Sequence, residues 1–144
     1  MKRILFALIS VVASLTSCEQ IILDGDWDPI ELDKKHVNFP SEGGQNTVSA
    51  LNYSRWWICG GYGSKRQVNG RWEYDDYVYP TSSVEEYVTY DTLDGGWFHV
   101  LVPDQGKSNT VIITVEPNEG SEPRTAIIDM TVGDSFTSIS ISQK

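Results

Sequence analysis

Between Tyr62 and Tyr90 the chain carries seven large rings in 29 residues: Tyr62, Trp72, Tyr74, Tyr77, Tyr79, Tyr87 and Tyr90. They are interleaved with Arg66, Asn69, Arg71, Asp75 and Asp76. Sugars lay their C–H faces on exposed rings while amide, carboxylate and guanidinium groups take the hydroxyls, so this mixture has the chemistry of a glycan-binding surface. The same residue types also favour strands and pack there as cross-strand pairs, so ring density leaves both roles open. Residues two apart share a strand face, which would stand Trp72 beside Tyr74. A turn at Asp75-Asp76 would return Tyr77 and Tyr79 alongside them. Trp72, Tyr74, Tyr77 and Tyr79 are thus the candidate platform, about the length of two or three sugar rings at a rise near 3.3 Å per residue.

Other constellations fall short of a chemistry. Asp24-Gly25-Asp26-Trp27-Asp28 opens like a calcium-binding EF-hand loop, but Pro29 stands where that loop needs glycine and Lys35 where it needs its bidentate acid. Asp75-Asp76 and Glu85-Glu86 are carboxylate pairs of the kind a glycosidase sets about 5–10 Å apart across a cleft. Adjacent residues on a strand point to opposite faces and do not meet that demand. The two histidines, His36 and His99, have neither metal-ligand spacing nor a nucleophile motif beside them. His99 is in phase with Trp97 and Leu101 and is expected half-buried. Cys59 is expected to be a small apolar core residue. No catalysis, metal or cofactor is expected.

The elements that must position the rings read as strands. Short β-prone runs alternate with Gly, Asn, Asp, Ser and Pro clusters, and no stretch sustains a helical period. The expected strands are Ile30–Leu32, His36–Phe39, Asn46–Leu51, Trp56–Cys59, Gln67–Tyr74, Glu86–Tyr90, Trp97–Val102, Thr110–Val115, Arg124–Val132 and Phe136–Ser142. Val111, Ile113 and Val115 share one face, and Ala126, Ile128, Met130 and Val132 another, as one buried and one wet face require. Gly133-Asp134 suits a two-residue hairpin turn between the last two strands. The pattern predicts an all-β, antiparallel sandwich over 30–144, with an aromatic-rich insertion at about 60–95.

The start of the chain has a different character. Lys2 and Arg3 precede an apolar run from Ile4 to Leu15, the layout of a secretory signal. The run is shorter than the roughly 20 residues a spanning helix needs. It ends in Leu15-Thr16-Ser17-Cys18, which resembles the lipobox of bacterial lipoproteins. That resemblance implies cleavage after residue 17 and acylation of Cys18, with 18–29 as lipidated cysteine and linker. Several acyl chains together would anchor the protein firmly to a membrane. Removing 1–17 leaves nine Lys and Arg against 20 Asp and Glu, a formal charge of −11. Such a surface repels nucleic acid, so no nucleic-acid partner is expected. With Cys18 acylated, Cys59 has no disulfide partner, and stability must come from a hydrophobic core.

From Glu31 onward the chain resembles the BACON domain, an immunoglobulin-like sandwich of exported Bacteroidetes proteins. The matching pieces are Val37-Asn38-Phe39 with Ser41-Glu42-Gly43-Gly44-Gln45, Trp56-Trp57-Ile58, and Trp97-Phe98-His99-Val100-Leu101-Val102-Pro103. They close with Val111–Asn118, Pro123–Ile128 and Ile139–Gln143, with the family's Asn, Arg and terminal Gln in place. The 35 residues between Cys59 and Gly95 replace a shorter connection and gain nothing from the likeness. The resemblance implies an immunoglobulin-like fold and a non-catalytic role, either carbohydrate binding or that of a structural, protein-interacting spacer in a surface assembly. Together with the lipobox it implies the cell envelope, at the outer membrane, with a glycan or an envelope protein as partner. Asp91-Thr92-Leu93 also resembles the acceptor triplet for O-linked glycans in that bacterial group, at Thr92.

The anchor reading has a direct test. Wild-type chain should take up radioactive palmitate, and Cys18→Ala should abolish the label and leave the protein unprocessed or soluble in the periplasm. A wild-type chain without label would remove the anchor.

Overall fold

Alternation of apolar and polar residues dictates two sheets that bury one face each. The computed structural model describes residues 27–85 and 89–144. The expected signal segment 1–17, Cys18, the acids Asp24 and Asp26, and Glu86 and Tyr87 lie outside the described residues. Ten strands are described: β1 (His36–Phe39), β2 (Gly44–Ser49), β3 (Trp57–Tyr62), β4 (Ser64–Val68), β5 (Arg71–Asp75), β6 (Thr92–Asp94), β7 (Phe98–Leu101), β8 (Thr110–Val115), β9 (Arg124–Val132) and β10 (Ser135–Gln143). One sheet has the order β1-β10-β9-β3 and the other β2-β8-β7-β6, while β4-β5 forms a separate hairpin. The chain is an all-β sandwich, antiparallel except where β1 runs parallel beside β10.

Between the sheets Val48, Trp56, Ile58, Val111, Ile113, Ile128, Met130, Ile139 and Ile141 are all buried. The β9–β10 hairpin turns at Gly133-Asp134, pairing Val132 with Ser135, and Gly133 has φ +54°. A residue with a Cβ would be disfavoured there.

Three expected strands differ. Gln67–Tyr74 is not one strand, because Asn69 (φ 49°) and Gly70 (φ 78°) turn the chain between β4 and β5. Positive φ at both central residues is the primed turn that Asn-Gly favours. Ile30–Leu32 makes only a single bridge, Leu32 to Ala50. Of the strand expected at Glu86–Tyr90, residues 86–88 lie outside the described residues, Thr89 and Tyr90 are not in a strand, and β6 follows at Thr92–Asp94.

A buried polar latch ties the strand ends. Gln143, 2% exposed, donates its side-chain amide to the carbonyls of Pro40 (3.0 Å), Ser41 (3.2 Å) and Glu116 (2.9 Å). Its Oε1 accepts from Arg124 Nε at 2.8 Å. Arg124 also donates to the carbonyls of Glu116 and Pro117 and lies 4.5 Å from the Trp97 ring centre. Asn118 donates to the carbonyls of Glu122 and Lys144.

Gln143→Ala should destabilise the sandwich by about 2–4 kcal/mol, since each buried polar group left without a partner costs about 1–3 kcal/mol. Ile128→Ala, which empties part of the core, should cost about 2–5 kcal/mol. Urea unfolding measures both. A Gln143→Ala protein as stable as wild type would mean that the latch is dispensable.

Candidate functional site

The bulge in β3 between Ile58 and Gly60 determines what faces outward. Beyond it Tyr62 leaves the core direction and rises from the outer face of the β3–β9 edge. It remains 1% exposed because the insertion covers it. Its hydroxyl donates to Asp129 Oδ1 at 3.3 Å, and Ser138 Oγ donates to the same oxygen at 2.6 Å. Tyr74, on β5, meets Tyr62 edge-on with centroids 4.9 Å apart, and Tyr77 lies nearly parallel to Tyr62 at 6.3 Å. Tyr77 in turn meets Tyr74 at 5.4 Å and Tyr79 at 4.8 Å, both edge-on. Edge-to-face contacts at these separations are the arrangement aromatic quadrupoles favour.

Tyr77 is locked from below. A Cβ on Gly60 would lie 2.3 Å from its hydroxyl oxygen, so only glycine leaves room for the ring. That hydroxyl donates to the Cys59 carbonyl at 3.3 Å. The backbone of Val78 pairs with Gly61 in both directions and extends the sheet by one bridge. Burial, then Asp129, pushes the Tyr62 phenol above its ordinary range. Burial, then Cys59, pushes up that of Tyr77.

The four candidate rings Trp72, Tyr74, Tyr77 and Tyr79 are all exposed. Tyr74, Tyr77 and Tyr79 make one continuous contact chain, but not the flat platform on a single hairpin that the sequence predicts. The hairpin turns at Asn69-Gly70 rather than Asp75-Asp76, so Trp72 and Tyr74 are on the returning strand. At Asp76 (φ 55°) the chain leaves the hairpin and carries Tyr77 and Tyr79 across to β3. Register places Lys65, Gln67, Trp72 and Tyr74 on one hairpin face. The Lys65 ammonium lies 5.3 Å from the Trp72 ring centre and 5.8 Å from that of Tyr62.

The far side of Tyr77 and Tyr79 walls an open cleft of about 820 Å³, completed by Trp57, Ile58, Cys59, Pro80, Tyr90, Thr131 and Gly133. This volume is within the ~300–1,000 Å³ of small-molecule sites. Trp57 is the residue that sequence reasoning left out of the site. Adjacent Trp56 and Trp57 must point to opposite faces of a strand, and with Trp56 in the core, Trp57 is the outward one. Arg55 lies 5.9 Å from the Trp57 ring centre.

Cys59 corrects an expectation. It is not a core residue but is half-buried on the cleft wall, because it follows inward-facing Ile58 on β3 and so points to the outer side. Its thiol is pushed up to about 11 by burial first and Asp129 second, with a hydrogen bond to Thr131 acting against them.

The remaining candidates are satisfied structurally. Asp75 accepts from Ser64 at 2.6 Å and lies 3.6 Å from Arg66, which also meets Glu73 at 3.2 Å. His99 sits between Asp94 (3.2 Å) and Glu116 (3.3 Å), and His36 bonds Ser140. Among the described residues no group of three His, Cys, Asp or Glu is placed to hold a metal. Asp28, the described acid of the calcium-like run, accepts the Tyr53 hydroxyl on its carbonyl at 2.7 Å. Asp91 is fully buried. Burial pushes its carboxyl up, but hydrogen bonds from Ser83 and Thr89 outweigh that and hold it below the ordinary range. Thr92 shares a hydroxyl–hydroxyl contact of 2.7 Å with Thr81.

Residues 82–144 match the model of the BACON family, described as "Putative binding domain, N-terminal". The match contains Asn118, Arg124 and Gln143 of the latch, together with Tyr90, Thr131 and Gly133 of the cleft. The β4–β5 hairpin lies outside it. No curated protein sequence matches. Among solved structures the chain is similar to the NMR structure of a protein from Bacteroides thetaiotaomicron, with TM-score 0.55 and 22% identity over 88% of this chain and 96% of that one. A Bacteroides ovatus GH5 xyloglucanase in complex with a XXXG heptasaccharide also aligns, with TM-score 0.46 and 17% identity over 80% of this chain and 18% of that one.

The raised thiol sets a prediction. With a pKa about 11, roughly one Cys59 in a thousand is thiolate at pH 8, so iodoacetamide should alkylate it about a hundredfold more slowly than an ordinary thiol. Asp129→Asn should speed the reaction. Because the folded value exceeds the unfolded one, near 9, the stability the neutral thiol contributes is complete below pH 9 and declines as pH rises toward 11. Rapid alkylation of native protein at pH 8 would contradict this environment.

Proposed function

We propose that the protein is a non-catalytic glycan-binding module, held on the outer face of the cell envelope's outer membrane or in its periplasm by lipid on Cys18. The observation that carries this reading is the exposed run Tyr74–Tyr77–Tyr79, which continues into the cleft faced by Trp57 and Tyr90. Gln67, Lys65, Arg55 and Asp129 stand beside the rings as donors and acceptors for hydroxyls. The family description of a binding domain supports the coarse part of the reading. The formal charge of −9 for the whole chain favours neutral glycans over anionic ones.

The alternative is a structural or protein-interacting spacer, in which the rings pack against an envelope partner. One observation favours it: the rings meet edge-on, and Lys65 lies over Trp72, so no flat shared plane is presented.

Tyr79 separates the two readings because at 77% exposure its truncation touches little of the fold. If glycan binds here, Tyr79→Ala and Trp72→Ala should each weaken binding on a polysaccharide array about tenfold, or about 1.4 kcal/mol, with melting temperatures within a few degrees of wild type. No binding by wild type to any neutral polysaccharide would leave the spacer.

A further inference from the structure

Tyr77 and Tyr79 present different chemistry on their two sides. On the hairpin side they share a hollow with Tyr74 and the Asp129 carboxylate, a group that suits hydroxyls. On the other side they wall the cleft, and among the described residues that line it none is charged and none carries a side-chain amide. Its polar atoms are largely spent within the protein. The Tyr77 hydroxyl donates to the Cys59 carbonyl at 3.3 Å, and that of Thr131 is shared between the carbonyls of Gly133 (2.8 Å) and Ser135 (3.0 Å). The Tyr90 carbonyl accepts the Ile58 amide at 3.0 Å. At one edge Trp27 packs on Gly133, where a Cβ would fall 2.5 Å from its Cε2.

A sugar pressed into this cleft would give up water at several hydroxyls and find few groups to replace it, which costs free energy at each one. A flat apolar group loses no hydrogen bonds on entering and is itself removed from water. Trp57, Tyr77, Tyr79 and Tyr90 offer four rings, and a further ring entering among them gains edge-on and offset contacts that a saturated group of the same size does not make. In such a wall the Cys59 thiol acts as a small apolar group, and its reluctance to ionise, set first by burial, reports how poorly water reaches it. The formal charge of −9 works against an anion. We propose that the cleft is a binding site for an uncharged, planar aromatic group, a ligand class distinct from the sugars of the hairpin side. The volume of about 820 Å³ accommodates such a group. The site stands on the cleft side alone and does not rest on glycan binding.

Cys59 reports occupancy from inside the cleft. In the full chain carrying Cys18→Ser it is the single thiol. Its alkylation by iodoacetamide at alkaline pH is followed with naphthylmethanol, the fully saturated analogue of that alcohol, or methyl β-glucoside, each at the same concentration. Naphthylmethanol should slow the reaction at least about fivefold, since only the unoccupied fraction reacts, while the other two leave it within about twofold. Tyr90→Ala removes one wall ring at an exposed position and keeps the backbone carbonyl that holds Ile58, so it should abolish the protection. Tyr79→Ala should do the same and serves if the first variant does not fold. A reaction that naphthylmethanol does not slow would mean that the cleft takes no aryl group, or is closed by another part of the chain or a second copy, and would overturn the proposal. Equal protection by the saturated analogue, protection by the glucoside, or protection that survives both variants would overturn it as well. The polysaccharide array is read without any aromatic compound, so the two readings fail separately.

Discussion

Gln143 is buried near the end of β10, and its amide nitrogen reaches the carbonyls of Pro40, Ser41 and Glu116 at once. Those carbonyls follow β1 and β8, which belong to different sheets. Packing alone holds two sheets face to face but does not fix their ends, and carbonyls there would be desolvated without donors. The amide supplies donors to both sheets, and Arg124 completes the arrangement by donating to Gln143, Glu116 and Pro117 while its guanidinium covers Trp97. A charge-assisted, fully satisfied network of this kind is worth more than its separate bonds, and for the same reason is costly to break at any member.

The insertion depends on the opposite face of the same sheet. The β3 bulge lets Gly60 sit beneath Tyr77 and turns Tyr62 outward, so the second aromatic layer grows from a gap that a single methyl group would close. Each further ring packs on the previous one, which gives the β4–β5 hairpin a footing that an isolated two-stranded hairpin lacks in water.

How much of this was legible in the sequence follows from which signals are local. The β9–β10 hairpin could be read because alternation and a Gly-Asp turn agree, whereas Asn118, Arg124 and Gln143 stood out only through the family resemblance, which says nothing of the contacts they make. Asn69-Gly70 carried the strongest short-range turn signal in the insertion, but Val68, Arg71 and Trp72 around it also suit a continuous strand. Missing that turn misplaced the platform geometry while leaving the ring identities intact. Trp57 and Cys59 follow from alternation once Trp56 and Ile58 are set inward, whereas Tyr62 depends on a bulge, whose extra residue reverses the in–out parity after it, and no residue type announces a bulge in advance. That the chain comes onto the sandwich beside the cleft depends on tertiary contacts of Trp27 and could not be read from spacing.

The rings form a gradient that separates holding from contacting. Tyr62 is 1% exposed, Tyr77 37% and Tyr79 77%. The inner rings have their hydroxyls committed to Asp129 and the Cys59 carbonyl, so their orientation is set before anything approaches. Tyr79 inherits that orientation through its edge contact with Tyr77 while keeping most of its own surface in water. A ring so placed loses little conformational freedom when it is covered, because its neighbours have already restricted it, and this lowers the entropic cost of binding any flat apolar surface. Tyr77 and Tyr79 line the hairpin side and the cleft side at once, so the two surfaces share two rings.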